Sequence, residues 1–248
     1  MPRLLIVKTG DAFPEVIEQY GDFEALFQKI LARHGFEAEV FDARHEPLPD
    51  LKGIDGLYIT GSHAMVSDAE PWSEALKPWL VAARERNLAM LGVCYGHQLM
   101  AAAFGGKSDY HPAGRESGTH EVTLTESGRE DPLLSTLPTH FPAQLTHAQS
   151  VLEAPSGSVV LARNAHDAFQ ALRYGPRQWS VQFHPEFTPE VMRAYLARQV
   201  DELRNRGEDA DALMRGVIPT PEASSLLASF AQAVAMPSQG SVALTHRG

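Results

Sequence analysis

The run Leu88-Ala89-Met90-Leu91-Gly92-Val93-Cys94-Tyr95-Gly96-His97-Gln98 changes character at one residue. Leu88 to Val93 is short and apolar, the pattern of a strand buried on both faces. Gln98 to Phe104 reads as a helix, closed by Gly105-Gly106. Between them Gly92-Val93-Cys94-Tyr95-Gly96 forms G-x-C-x-G, the thiol counterpart of the G-x-S-x-G elbow. A residue on so sharp a strand-to-helix turn needs neighbours without side chains, which the two glycines supply. The sulfur would then sit at a helix N-terminus, where dipole and free N–H groups favour thiolate. The Tyr95 N–H beside it can donate to an oxyanion. A lone cysteine is ordinarily a small buried hydrophobe; the elbow argues for a nucleophile here.

On the N-terminal side, Leu4 to Val7 is another continuous apolar run. Phe23, Leu26, Phe27, Ile30 and Leu31 share one helical face that Gly35 terminates. Ala38 and Val40 alternate with acids as in a strand. Gly56 to Thr60 is a strand ending at Gly61-Ser62, and Pro71 opens a helix carrying Leu76 and Leu80. This alternation predicts an α/β fold with a mostly parallel central sheet flanked by helices. From about Ser117 short strands dominate: His120–Leu124, Gln144–His147, Val159–Ala162, Phe169–Arg173 and Trp179–His184. They predict a small antiparallel portion. Pro189–Arg206 is a helix with Val191, Ala194, Tyr195 and Ala197 on its apolar side, and a second helix runs from Pro221 to Val234. These elements divide into a catalytic domain over residues 1–206, then a C-terminal helical extension and loose tail over 207–248.

At 248 residues the chain suits one to two domains of about 150 residues. Its 44% hydrophobic and 21% charged content is that of a globular protein. A net charge of -10 opposes nonspecific nucleic-acid binding, which needs phosphate neutralisation. One cysteine excludes an internal disulfide and a multi-thiolate zinc site. No apolar run approaches a membrane span or a signal-peptide core, so the expected location is cytoplasmic. No H-E-x-x-H, Walker A or G-x-G-x-x-G pattern occurs, and neither metal nor cofactor is expected.

The second chemical segment is Gln182-Phe183-His184-Pro185-Glu186. With Pro185 holding the chain extended, His184 and Glu186 are i and i+2 and point the same way. The carboxylate can then orient the ring while the other nitrogen faces a thiol. By itself His184 would pass for a strand-end histidine; together with Cys94 it completes a nucleophile, base and orienter set.

These two segments, Gly92 to Gln98 and Val181 to Phe187, resemble the class I glutamine amidotransferases, most of all stand-alone proteins similar to the glutaminase half of GMP synthetase. Their order and separation match as well. The resemblance covers roughly residues 1 to 190. It implies a flavodoxin-like α/β fold and attack of a cysteine on the side-chain amide of glutamine. A γ-glutamyl thioester would form, ammonia would leave and water would release glutamate. Carried over residue by residue, Cys94 is the nucleophile, His184 the acid/base and Glu186 the orienting carboxylate. Thr60-Gly61-Ser62 matches the family's oxyanion turn, with Ser62 in place of a second glycine. Gly61, Ser62 and Tyr95 would form the oxyanion hole, and Gln98 matches a glutamine that touches the donor. One departure stands out. Thr146-His147-Ala148-Gln149 occupies the place of Ser-His-Gly-Asp, so Gln149 replaces an acid in a loop that would face a partner or the donor's polar end. His147 is read as loop packing.

Three functions fit these residues. The chain is a stand-alone γ-glutamyl hydrolase, a glutaminase that passes ammonia to a separate synthase subunit, or a binding module that kept the fold without turnover. The expected partner is a small molecule, glutamine or a γ-glutamyl compound; no nucleic acid or membrane is expected. The loop Ser-Gly-Gly-x-Asp-Ser of ATP pyrophosphatase domains is absent from the sequence.

Overall fold

The computed structural model describes residues 1–236. The first half runs β1 (Leu4–Lys8), α1 (Pro14–Tyr20), α2 (Phe23–Arg33), β2 (Ala38–Asp42), β3 (Gly56–Ile59), α3 (Pro71–Glu85), β4 (Ala89–Val93) and α4 (Tyr95–Ala103). There follow β5 (Lys107–Tyr110), β6 (Glu116–Leu124), α5 (Glu126–Arg129), β7 (His140–His147), β8 (Gln149–Glu153), β9 (Val159–Arg163), β10 (Ala171–Gly175) and β11 (Gln178–Val181). Helices α6 (Pro189–Asn205), α7 (Ala210–Arg215) and α8 (Pro221–Ala235) close the described chain.

Nine strands make one sheet in the order β2-β1-β3-β4-β11-β10-β9-β6-β7. The pairings from β2 to β11 are parallel. From β11 to β7 they are antiparallel. Strands β5 and β8 form a separate two-stranded antiparallel sheet. The α/β architecture with its parallel centre is as expected, and the antiparallel strands prolong that same sheet.

Both faces of the parallel half are covered. Leu4 and Ile6 of β1 pack with α2 and α8 through Phe27, Leu226 and Phe230. Leu5 and Val7 point the other way, against α3 and α4 through Leu76, Leu80 and Leu99. This is why β1 and β4 lack polar alternation. Helix α8 belongs to the first of these cores: Tyr58 Oη donates to the Leu227 carbonyl at 2.7 Å. A third cluster joins α1, α2 and α6 around Val16, Phe23, Phe187 and Tyr195.

Several local expectations need correction. Helix α4 begins at Tyr95, directly after Cys94, rather than at Gln98. Strand β11 ends at Val181, and a turn, with the Phe187 N–H donating to the His184 carbonyl at 3.3 Å, carries Pro185 and Glu186. Glu186 therefore reaches His184 by folding back and not along an extended chain. On α6 the inward face is Val191, Met192, Tyr195 and Leu196, while Ala197 is exposed, because the helix also has to cover α1. Gln149 opens β8 rather than lying in a loop, and at 1% exposed it lines the Cys94 cavity, the side expected for a donor's polar end. The stretch read as a loose tail, from residue 237, lies outside the described residues.

Candidate active site

The site lies where the parallel strands end, the usual place for ligands in open α/β sheets. Strands β4 and β11 are parallel neighbours in register Val93↔Val181. The Cys94 N–H donates to the Val181 carbonyl at 2.9 Å, which fixes the start of the elbow against the strand that leads to His184.

Cys94 has φ 51° and ψ -103°, the left-handed side that an L-residue occupies only under constraint. The flanking glycines are the constraint. A Cβ on Gly92 would meet Met100 Sδ at 2.6 Å and the Gly96 carbonyl oxygen at 2.7 Å. A Cβ on Gly96 would lie 2.5 Å from the Ile59 carbonyl oxygen. The elbow closes only because both side chains are missing. Cys94 Sγ lies 3.9 Å from the Thr146 carbonyl oxygen at the end of β7.

His184 is held from several sides. Its backbone N–H donates to the Gln144 carbonyl of β7 at 2.9 Å. Its ring stacks on Phe187, with centroids 4.2 Å apart. Nδ1 donates to Glu186 Oε1 at 2.6 Å, since a carboxylate only accepts. Burial pushes the imidazole towards neutrality, but the charges of Glu186 and Cys94, with their hydrogen bonds, outweigh it and raise its pKa to about 10. Glu186 is 1% exposed, and its Oε2 has no partner among the described residues.

Cys94 and His184 line one cavity and both press on Gly61. A Cβ there would sit 3.0 Å from His184 Cε1 and 3.7 Å from Cys94 Cβ. Gly61 is therefore required for close approach, whatever its N–H does. Ser62 lines the same cavity, and its Oγ accepts from the Ala64 N–H at 3.0 Å, so this serine steadies the turn itself. Tyr95 is the first residue of α4, where N–H groups lack intrahelical acceptors. Its phenol is engaged with Ser73 Oγ at 2.6 Å, which leaves the backbone as the part available to the site.

Gln98 also lines the cavity, but its Nε2 donates to the Gln149 carbonyl at 2.6 Å and to Gln182 Oε1 at 3.1 Å. It clamps α4 to β8. Sequence reasoning gave no site role to most of the rest of the lining. His147, set aside as loop packing, ends β7, reaches the cavity and pairs with buried Glu116 at 2.9 Å. Arg115, Phe13, Phe23, His63 and Tyr195 also line the cavity. Two of these had a signal: His147 through its place in the Thr-His-Ala-Gln segment, and His63 through its position directly after the Thr60-Gly61-Ser62 turn; Arg115, Phe13 and Tyr195 come from elements distant in sequence. Among the described residues no group of three or more His, Cys, Asp or Glu is placed to hold a metal ion, and no helix is long and apolar enough to cross a membrane.

Comparison with known proteins places the chain. The family model of glutamine amidotransferase class-I matches residues 15–203. The chain belongs to the class I glutamine amidotransferase family. It is 27% identical over 188 residues to a glutamine-hydrolysing GMP synthase subunit of Methanopyrus kandleri, covering 73% of this chain and 95% of the relative. It is 25% identical over 202 residues to gamma-glutamyl peptidase 5 of Arabidopsis thaliana, covering 79% and 80%. Its fold is that of a solved glutamine amidotransferase from Thermotoga maritima, with a TM-score of 0.73, 16% identity and coverage of 94% and 99%. This amidotransferase-family chain thus resembles both a peptidase and one subunit of a synthase.

Proposed function

We propose that this chain hydrolyses γ-glutamyl amides, glutamine among them, through a thioester on Cys94. The observation that supports this best is the His184 ring, locked by Glu186 at 2.6 Å beside the chain's one cysteine on a strained elbow. In this reading Cys94 Sγ attacks the γ-carbonyl carbon. The oxyanion is received by N–H groups of Gly61, Ser62 and Tyr95. The C–N bond breaks as His184 passes a proton to the leaving nitrogen. Water then attacks the thioester, His184 takes its proton, and glutamate and the thiolate are released. Glu186 keeps the ring in one orientation and stabilises its positive charge. Gln98 shapes the donor pocket through its clamp on β8.

The purified protein turns over without a partner in this reading. The resemblance to a GMP synthase subunit supports a second version, in which a separate synthase takes up the ammonia. Steady-state release of ammonia and glutamate by the isolated chain separates them. Turnover of glutamine or a γ-glutamyl dipeptide, lost in Cys94→Ala, supports the stand-alone version. Turnover that appears only with an added synthase supports the other.

A further inference from the structure

The two ends of the Cys94 cavity differ in chemistry. One end is polar and is built from Gln98, Thr146, His147 and Gln149 around the end of β7 and the start of β8. The other is aromatic. Phe23 stacks over His184 with centroids 6.3 Å apart, and His63 meets Phe23 edge-on at 6.0 Å. Phe13 lies 4.3 Å from His63 and 4.8 Å from Tyr195. Tyr195 Oη and His63 Nε2 are 2.9 Å apart, so the one polar atom of that tyrosine side chain is already engaged. Phe23 and Tyr195 are buried, whereas Phe13 is half-buried, with the Arg198 guanidinium 5.3 Å over its ring, and His63 is exposed; both of these line the cavity.

The mechanism orients a substrate between these ends. The leaving nitrogen takes its proton from His184, so it must lie within hydrogen-bond reach of that ring. Any substituent on this nitrogen then extends along the wall that surrounds His184. Ammonia has no substituent and gains nothing from such a wall. A ring or a large apolar group would bury area against the exposed parts of Phe13 and His63.

Resting on the γ-glutamyl hydrolase reading, we infer that Phe13 and His63 form a leaving-group subsite, and that the substrates are γ-glutamyl amides of amines bearing an aromatic or bulky apolar group. The bond broken is the γ-glutamyl C–N bond. The acyl group goes to Cys94 and then to water, and the free amine departs with the proton from His184.

The test compares kcat/KM of the full chain for γ-glutamylphenylalanine, γ-glutamylglycine and glutamine. The two dipeptides share a leaving-group carboxylate, so their ratio isolates the ring. γ-Glutamylphenylalanine is expected to exceed γ-glutamylglycine by about tenfold, the scale of one good aromatic contact. Phe13→Ala should bring the ratio close to one. His63→Ala, at an exposed position, should lower it by at least about threefold and keeps the test valid if the Phe13 variant folds poorly. A ratio near one in the unmodified protein, a preference for glutamine, or a ratio unmoved in both variants overturns the subsite. Hydrolysis of none of the three compounds instead overturns the γ-glutamyl hydrolase reading itself, a different outcome from equal hydrolysis of all three.

Discussion

Two buried histidine–carboxylate pairs border the same cavity, and they are finished differently. His147 Nε2 meets Glu116 Oε2 at 2.9 Å, and its Nδ1 meets the Gln149 carbonyl at 2.9 Å, so both ring nitrogens are engaged. Glu116 also accepts from Asn164 Nδ2 and, at 3.2 Å, from Gln170 Nε2. His184 Nδ1 meets Glu186 Oε1 at 2.6 Å, while the rest of its ring is turned towards the space it shares with Cys94. The first pair is saturated and ties β6, β7 and the loop at Asn164 together. The second spends its other ring nitrogen on a sulfur instead of on structure. Burial and pairing do not by themselves mark a proton-transfer group; a ring nitrogen aimed at a reactive atom does.

If that contrast is sound, the largest losses fall on the second pair and its thiol. Cys94→Ala should lower turnover by roughly four to six orders of magnitude, and His184→Ala by nearly as much. In the double variant the losses should not multiply, because the two act as a unit. Steady-state ammonia release checks this, and a tenfold loss in either single variant would place the chemistry elsewhere.

Glu186→Gln comes next. It keeps the shape and removes the charge, so the cost should be about ten- to a thousandfold. It also has a pH signature. His184 is raised to about 10 in part by the Glu186 charge, so it keeps its proton, and activity its acid, up to about that pH. The alkaline limb of kcat/KM should move towards neutrality in Glu186→Gln. A limb that stays in place would show that Glu186 does not hold the imidazolium.

Glu116→Gln should behave in the opposite sense, with turnover changed by less than about tenfold but the fold destabilised by about 3 kcal/mol, as when a buried pair loses one partner. Burial pushes the Glu116 carboxyl up, but its hydrogen bond to His147 and the charge there outweigh this and hold it below its ordinary 4.5. A depressed carboxyl contributes stability that is present above its unfolded value and lost as the pH falls through the folded one. Denaturant melts across the acid range should therefore show a loss of stability below pH 4.5 that is smaller in Glu116→Gln. The smallest effect is expected for Gln98→Ala, a rise in KM of about three- to tenfold with little change in kcat, because Gln98 clamps β8 rather than meeting the reacting bond.

The two pairs also differ in how far the sequence shows them. His184 and Glu186 are two residues apart, and Cys94 announces itself through flanking glycines, so local reading finds all three. Glu116 and His147 meet only because β6 and β7 pair in register Glu116↔His147, which no short window contains. The same limit governs the fold. Continuous apolar runs exposed β1 and β4, which are buried on both faces. Strand β5, Lys-Ser-Asp-Tyr, is polar and forms only against β8, so its sequence carries no strand signal. Helix α8 was legible as a helix, but its place against Leu4, Tyr58 and Trp179 followed only from the folded sheet. Phe13 carried no motif, and His63 only its place after the Thr60-Gly61-Ser62 turn; the meaning of both depends on where His184 comes to rest.

Trapping the acyl group tests covalent catalysis by Cys94 most directly. Glutamine, and separately γ-glutamylphenylalanine, would be mixed with the intact chain, quenched with acid during turnover, and the peptides mapped by mass spectrometry. One γ-glutamyl group per chain is expected, on the peptide that carries Cys94, in thioester linkage released by hydroxylamine. Turnover with no acyl group on Cys94, or with the group on another residue, would contradict it.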